Sequence, residues 1–210
     1  MAASLCMNAA DVYVTPEGNG TKDGTTRENA MGLTEYNALM KFKSVSDATG
    51  KFDETTFKFA AGEYIITSTS FVYRSGITVE GSYDPATGQK SATERTIFNG
   101  NNKERSNDAF FLQPESKMDG TNGTRKVSIS GIDFENFVCT NVWRNGDTNW
   151  QYGLPSTIYI TRCGEAKITD CKLTATNAPQ PAHSPTKTTT SRPTRKRWPV
   201  QSRLTAAIYY

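Results

Sequence analysis

The chain has 210 residues, 36% of them hydrophobic and 10% aromatic, with a mean hydropathy of −0.58. That length suits one domain with an attached tail, and no run reaches the ~20 apolar residues of a membrane-spanning helix. Full disorder is excluded by the aromatic content, and the formal charge of +3 excludes little until it is located.

All 21 acidic residues lie at or before Asp170, whereas six of the 24 basic residues fall between Pro179 and Tyr210. The first 178 residues therefore hold 18 basic against 21 acidic side chains, a formal −3. Basic character belongs to the tail alone. A nucleic-acid partner, which a basic domain would suggest, is not expected.

In chain order, residues 1–10 (MAASLCMNAA) read as the end of a truncated secretory leader, small and apolar, before a strand-like DVYV. Dense turn residues follow through Thr26. Thr34 then stands as a helix cap with Glu35 in the first turn, and Tyr36, Leu39, Met40 and Phe42 recur at helical spacing. One amphipathic helix is predicted from Thr34 to about Val45, with Leu39 and Phe42 buried.

From Phe57 onward the period becomes two. Phe57-Lys58-Phe59, Ile77-Thr78-Val79 and Thr96-Ile97-Phe98 are short strand triplets in which Phe57, Ile77 and Ile97 are spaced by 20 residues, and Ala109–Leu112, Val127–Ile129, Ile158–Ile160 and Lys167–Ile168 continue them. Val79-Glu80-Gly81, Phe98-Asn99-Gly100 and Ile129-Ser130-Gly131 end alike, and VSISGIDFEN superposes on AKITDCKLTA at an offset of 39. Such periods point to stacked repeats that share one core. The fold expected is all-β, a parallel solenoid over 11–178 with one N-terminal capping helix. Phe57, Phe59, Ile77, Val79, Ile97, Val127, Ile129, Ile168 and Leu173 are its expected inward residues. An antiparallel sandwich, with evenly spaced strands every 8–12 residues, fits less well.

Residues 179–210 hold five of the nine prolines and no periodicity. They are expected to be a basic Pro/Thr-rich tail outside the fold, disordered or frame-shifted. The coil around Ala166–Ala175 would then be open and able to self-associate.

YVTPEGNGTKDGTT resembles the opening of right-handed parallel β-helix proteins of the pectate-lyase-like superfamily. GEYIIT, ITVEGSYDPATGQ with TIFNG, and VSISGIDFEN resemble their coil-building passages. The resemblance spans about Asp11 to Asn177 and implies a secreted or cell-envelope bacterial protein, represented here by an N-terminal part. It also implies polysaccharide as the partner, bound or processed. In a longer parent the activity would be that of a polysaccharide lyase or glycoside hydrolase. The alternative is a non-catalytic surface or adhesin-type scaffold.

No complete catalytic set is visible, because the single histidine, His183, lies in the tail. Asp133, Glu135 and Asp170, with Arg162 and Lys172, are the carboxylates and cations nearest one another in late coils. Asp133 and Glu135 flank Phe134 on one strand, so both should face outward as an acidic face able to take calcium. The loop WRNGDTNWQY offers Trp143, Asn145, Asp147, Trp150 and Tyr152 for stacking on and hydrogen bonding to a sugar. Cys6, Cys139, Cys163 and Cys171 match no zinc spacing and no resident metal or cofactor is expected. Their spacing leaves open a Cys163–Cys171 disulfide or buried thiols.

Overall fold

The computed structural model describes residues 11–41, 49–102, 109–115, 123–137, 157–175 and 206–209. Its strands are β1 (Asp11–Val14), β2 (Thr56–Ala60), β3 (Gly62–Ile65), β4 (Ser70–Tyr73), β5 (Ile77–Tyr83), β6 (Thr96–Asn99) and β7 (Phe110–Gln113). These are followed by β8 (Lys126–Ser130), β9 (Ile132–Phe137), β10 (Ile158–Thr161), β11 (Glu165–Thr169), β12 (Lys172–Ala175) and β13 (Ala206–Tyr209). One helix, α1 (Leu33–Leu39), lies between β1 and β2.

The strands form three sheets, ordered β1-β2-β5-β8-β11, β3-β6-β9-β12 and β4-β7-β10-β13, and every strand pair within them is parallel. From β2 onward the chain visits the first, second and third sheets in turn, then starts again. The architecture is all-β with one helix and is compatible with a solenoid. Each pass places one strand on each sheet, so no pass can bury its inward side chains alone.

Register shows how the passes share a core. Phe57 pairs with Val79, Val79 with Ile129 and Ile129 with Ile168, along the first sheet. The first three are fully buried. In the interior Phe59 and Phe98 meet edge to face at 5.1 Å, as do Phe98 and Phe134 at 5.7 Å. The offset of 39 is true register: Ile129 lies beside Ile168 and Phe134 beside Leu173.

The equal spacing of 20 is not. Ile97 belongs to the second sheet, between Glu63 and Asp133, so the spacing from Ile77 to Ile97 crosses a corner within one pass. Ile97 also faces outward, while Thr96 and Phe98 point in and are buried. The buried Thr96 hydroxyl is satisfied, accepting from the Ser82 N–H at 2.8 Å and lying 2.8 Å from the Ala60 carbonyl. A large aromatic and a paired hydroxyl therefore outweigh one isoleucine for the interior. At the neighbouring corner Gly81 and Gly131 meet across passes: a Cβ on Gly81 would lie 2.4 Å from the Gly131 carbonyl oxygen. That backbone approach, with φ of +71° at Gly131, requires glycine.

The helix does cap the first pass, with different boundaries and a different face. Gly32, rather than Thr34, is its N-cap, and its N–H donates to Glu35 Oε2 at 3.0 Å. It ends at Leu39, and Phe42 and Val45 lie outside the described residues. Tyr36 and Met40 are buried, whereas Leu39 is only partly so. The Tyr36 ring stands edge-on to Phe57 at 5.5 Å and to Phe59 at 5.1 Å. The outer edge of β1 is occupied too: the Tyr13 N–H donates to Gly24 O, and the Met31 N–H to Tyr13 O.

At the far end Ala166, Ile168, Cys171 and Leu173 pack on the core but stay partly exposed, and among the described residues nothing pairs with the outer edges of β11 and β12. The third sheet continues. Ala206–Tyr209 runs parallel to Ile158–Thr161, correcting the expectation that nothing in 179–210 joins the fold. Pro199 is the last proline, so this stretch retains every backbone N–H that a ladder needs. The other tail residues, and the leader 1–10, lie outside the described residues.

Ile129→Ala should cost about 2–5 kcal/mol in urea unfolding. Ile168→Ala should cost clearly less, and Ile97→Thr less than about 1 kcal/mol. Equal losses at positions 97 and 129 would mean that the register is off by one residue.

Candidate functional site

One corner of the structure differs from the other two. The connections from the second to the third sheet are 66–69, 100–109, 138–157 and 176–205, lengthening from four to ten, 20 and 30 residues. The other corners alternate between very short links and single longer ones. In stacked-repeat architectures, insertions gather on one face, often the binding face.

This corner has two described flanks. At the end of the second sheet the Asn99 amide donates to Glu63 Oε1 at 2.6 Å, and the Asn136 amide donates to Asn99 Oδ1 at 3.1 Å. Asn136 has φ of +55°, a conformation that asparagine tolerates better than most residues. On the third sheet, Phe71, Phe111 and Tyr159 stand in register on the outer face, since Val72, Phe110, Leu112, Ile158 and Ile160 fill the inner one. Phe71 and Phe111 centroids are 5.9 Å apart at a 50° tilt, and Phe111 stacks on Tyr159 at 4.9 Å and 10°. The facing sides of Phe111 and Tyr159 are thus used on each other. Phe71, at one end of the strip, is 38% exposed. No residue of β4, β7 or β10 is charged.

Trp143, Asn145, Asp147, Trp150 and Tyr152 lie outside the described residues. Their connection, 138–157, runs directly into β10, whose second residue is Tyr159. The Phe71–Phe111–Tyr159 strip was not singled out by sequence. Its signal was there in SFVY, FFLQ and IYIT, each with an aromatic second residue, but becomes legible only once parallel register aligns them.

Asp133 and Glu135 do point away from the core while Phe134 points in. The acidic face is not free, however. Arg95 donates to Asp133 Oδ1 through Nε at 3.2 Å and Nη2 at 2.8 Å, and to Asp170 Oδ2 through Nη1 at 2.9 Å. Nη2 also donates to the Asp170 carbonyl at 2.7 Å. These bonds, that to Asp133 first, hold the guanidinium above its usual pKa. Arg95 is the cation that joins Asp133 to Asp170, and it is distant in sequence from both carboxylates.

A second arginine does similar work at another corner. Arg125 Nε donates to Asp53 Oδ2 at 3.0 Å and its Nη1 to Glu115 Oε2 at 3.1 Å, with Glu115 buried. The Arg125 and Gly76 amides complete the coordination of these carboxylates. Both clusters join passes. In both, guanidinium groups hold the carboxylates. Among the described residues, no three His, Cys, Asp or Glu side chains converge to hold a metal.

Cys163 and Cys171 are free thiols, the first buried and the second partly so. Burial raises the pKa of both. Cys6 and Cys139 lie outside the described residues. No described helix is long and apolar enough to cross a membrane. No family model matches the chain, and no curated protein or solved structure matches it.

Arg95→Leu should destabilise by about 1–3 kcal/mol, because it strips charge-assisted hydrogen bonds from the half-buried Asp133. In an Asp133→Leu background the added cost should shrink, which a double-mutant cycle in urea measures. A raised thiol pKa means less thiolate at a given pH, so iodoacetamide labelling of Cys163 and Cys171 should lag behind that of a free cysteine. Its pH profile should be displaced upward, and the lag should vanish in denaturant. Peptide mapping of the labelled sites checks this.

Proposed function

We propose that this chain is an exported module of a right-handed parallel β-helix that binds polysaccharide and lacks an active site of its own. The observation that carries the reading is the in-register aromatic strip Phe71–Phe111–Tyr159, beside the corner where successive connections lengthen. Sugars present C–H faces that pack on aromatic surface and hydroxyls that bond to amides. The strip and the Glu63–Asn99–Asn136 amide row supply one of each on either side of that corner. The 138–157 connection, with Trp143, Asn145, Asp147, Trp150 and Tyr152, adds the same residue types. Three sheets visited in constant order support the β-helix, as does the likeness of YVTPEGNGTKDGTT and VSISGIDFEN to pectate-lyase-like coils. The leader-like residues 1–10 support export. Calcium remains a proposal without a ligand set among the described residues.

A second reading, a non-catalytic surface scaffold, is favoured by the two arginine clusters, which engage Asp133, Asp170, Asp53 and Glu115 in joining passes. Affinity electrophoresis against a panel of polysaccharides separates the readings. Retardation by at least one polysaccharide is expected, with no unsaturated or reducing-end product. Phe71→Ala should weaken binding about tenfold, a loss of ~1.4 kcal/mol, without changing the circular dichroism. No retardation by any polysaccharide would leave the scaffold, and product formation would make the chain an enzyme.

A further inference from the structure

The two ends of the first sheet are finished differently. At the N-terminal end the outer edge of β1 is occupied: the Tyr13 N–H donates to Gly24 O at 3.0 Å, the Thr15 N–H to Met31 O at 2.8 Å and the Met31 N–H to Tyr13 O at 2.9 Å. At the other end, among the described residues, no strand pairs with the outer edges of β11 and β12. Burial follows the same divide. Val127 and Ile129 of β8 are fully buried, while Ala166 and Ile168, their register partners on β11, stay partly exposed.

The two open edges are not alike. β12 changes register against β9 between Leu173 and Ala175, whereas β11 keeps a single register with β8 over all five of its residues. β11 has neither a bulge nor a proline to blunt it, so it is a regular template for a further strand. Its outward side chains are Glu165, Lys167 and Thr169, all exposed. Glu165 meets Lys126 at 2.9 Å, but both side chains are more than half exposed, and such a pair holds a carboxylate only weakly.

We propose that two copies of this chain associate end to end, with β11 of each pairing antiparallel to β11 of the other. Stacking head to tail would need a vacant β1 edge, and that edge is taken. The contact therefore joins like to like and closes as a dimer instead of growing into a fibre. Charge selects the register. Inward residues stay inward only if pairing shifts in steps of two. Setting Lys167 opposite Lys167 of the second copy opposes like charges, which is unfavourable across a strand pair. A shift of two sets Ala166 opposite Ala166 and Glu165 opposite Lys167 of the second copy, and symmetry makes that ion pair twice. Ile168 and Leu173 then face the interior of the second copy, which continues the shared core across the joint.

The test is sedimentation velocity of the full chain over a dilution series, with hydrogen exchange of the β11 amides at each concentration. A monomer–dimer equilibrium with no larger species is expected, and the β11 amides should exchange more slowly as dimer forms. Lys167→Glu should weaken the dimer about tenfold with unchanged circular dichroism, because two attractive pairs become repulsive. Adding Glu165→Lys should restore it, since the charges are then exchanged and still complementary. A monomer at every concentration, open-ended growth, an unaffected dimer in Lys167→Glu or no rescue by the double variant would each overturn the proposal. So would a monomer whose β11 amides are already protected, which would assign that edge to residues of the same chain. None of these outcomes depends on polysaccharide binding at the third sheet.

Discussion

No single pass of this chain can close a core, and everything else in the structure follows from that constraint. Phe57 is sealed only when Val79 lies beside it, and Val79 only when Ile129 does. Phe98 fills the interior between Phe59 of the pass before and Phe134 of the pass after. Burial of these side chains is worth ~1.5–3 kcal/mol each, and parallel register is the arrangement that lets successive passes share it. The two ends of the stack are then its weak points. Helix α1 and the 24–31 segment close one of them with Tyr36, Met40 and a row of backbone hydrogen bonds.

The same constraint decides where charge goes. A half-buried guanidinium that reaches carboxylates on neighbouring passes fixes their register while its partners cancel its charge. Arg95 does this for Asp133 and Asp170, and Arg125 for Asp53 and Glu115. The strands of the third sheet that carry the aromatic strip hold no charged residue.

Much of the architecture was legible because period-two alternation and the recurring apolar–polar–glycine endings carry physical meaning. Gly81 and Gly131 sit where two backbones touch, and the offset of 39 between the last repeats is their actual register. The offset of 20 misled, because counting residues does not distinguish turning a corner within one pass from moving to the next. Ile97 misled because apolar character was weighed without asking whether Thr96 had hydrogen-bond partners inside. The helix face was misassigned since Leu39 and Tyr36 are both apolar enough to bury, and only packing on Phe57 and Phe59 chooses between them. Arg95 was invisible for a different reason: its partners lie 38 and 75 residues away. The aromatic strip needed the register before it could be seen.

The most direct test of this account is through-space NMR contacts in isotopically labelled protein. Shared cores in parallel register predict contacts of Val79 with both Phe57 and Ile129, of Phe98 with both Phe59 and Phe134, and of Ile97 with none of these interior rings across the wall. Contacts that instead join each strand antiparallel to its sequence neighbour, β5 with β6 or β8 with β9, would contradict it.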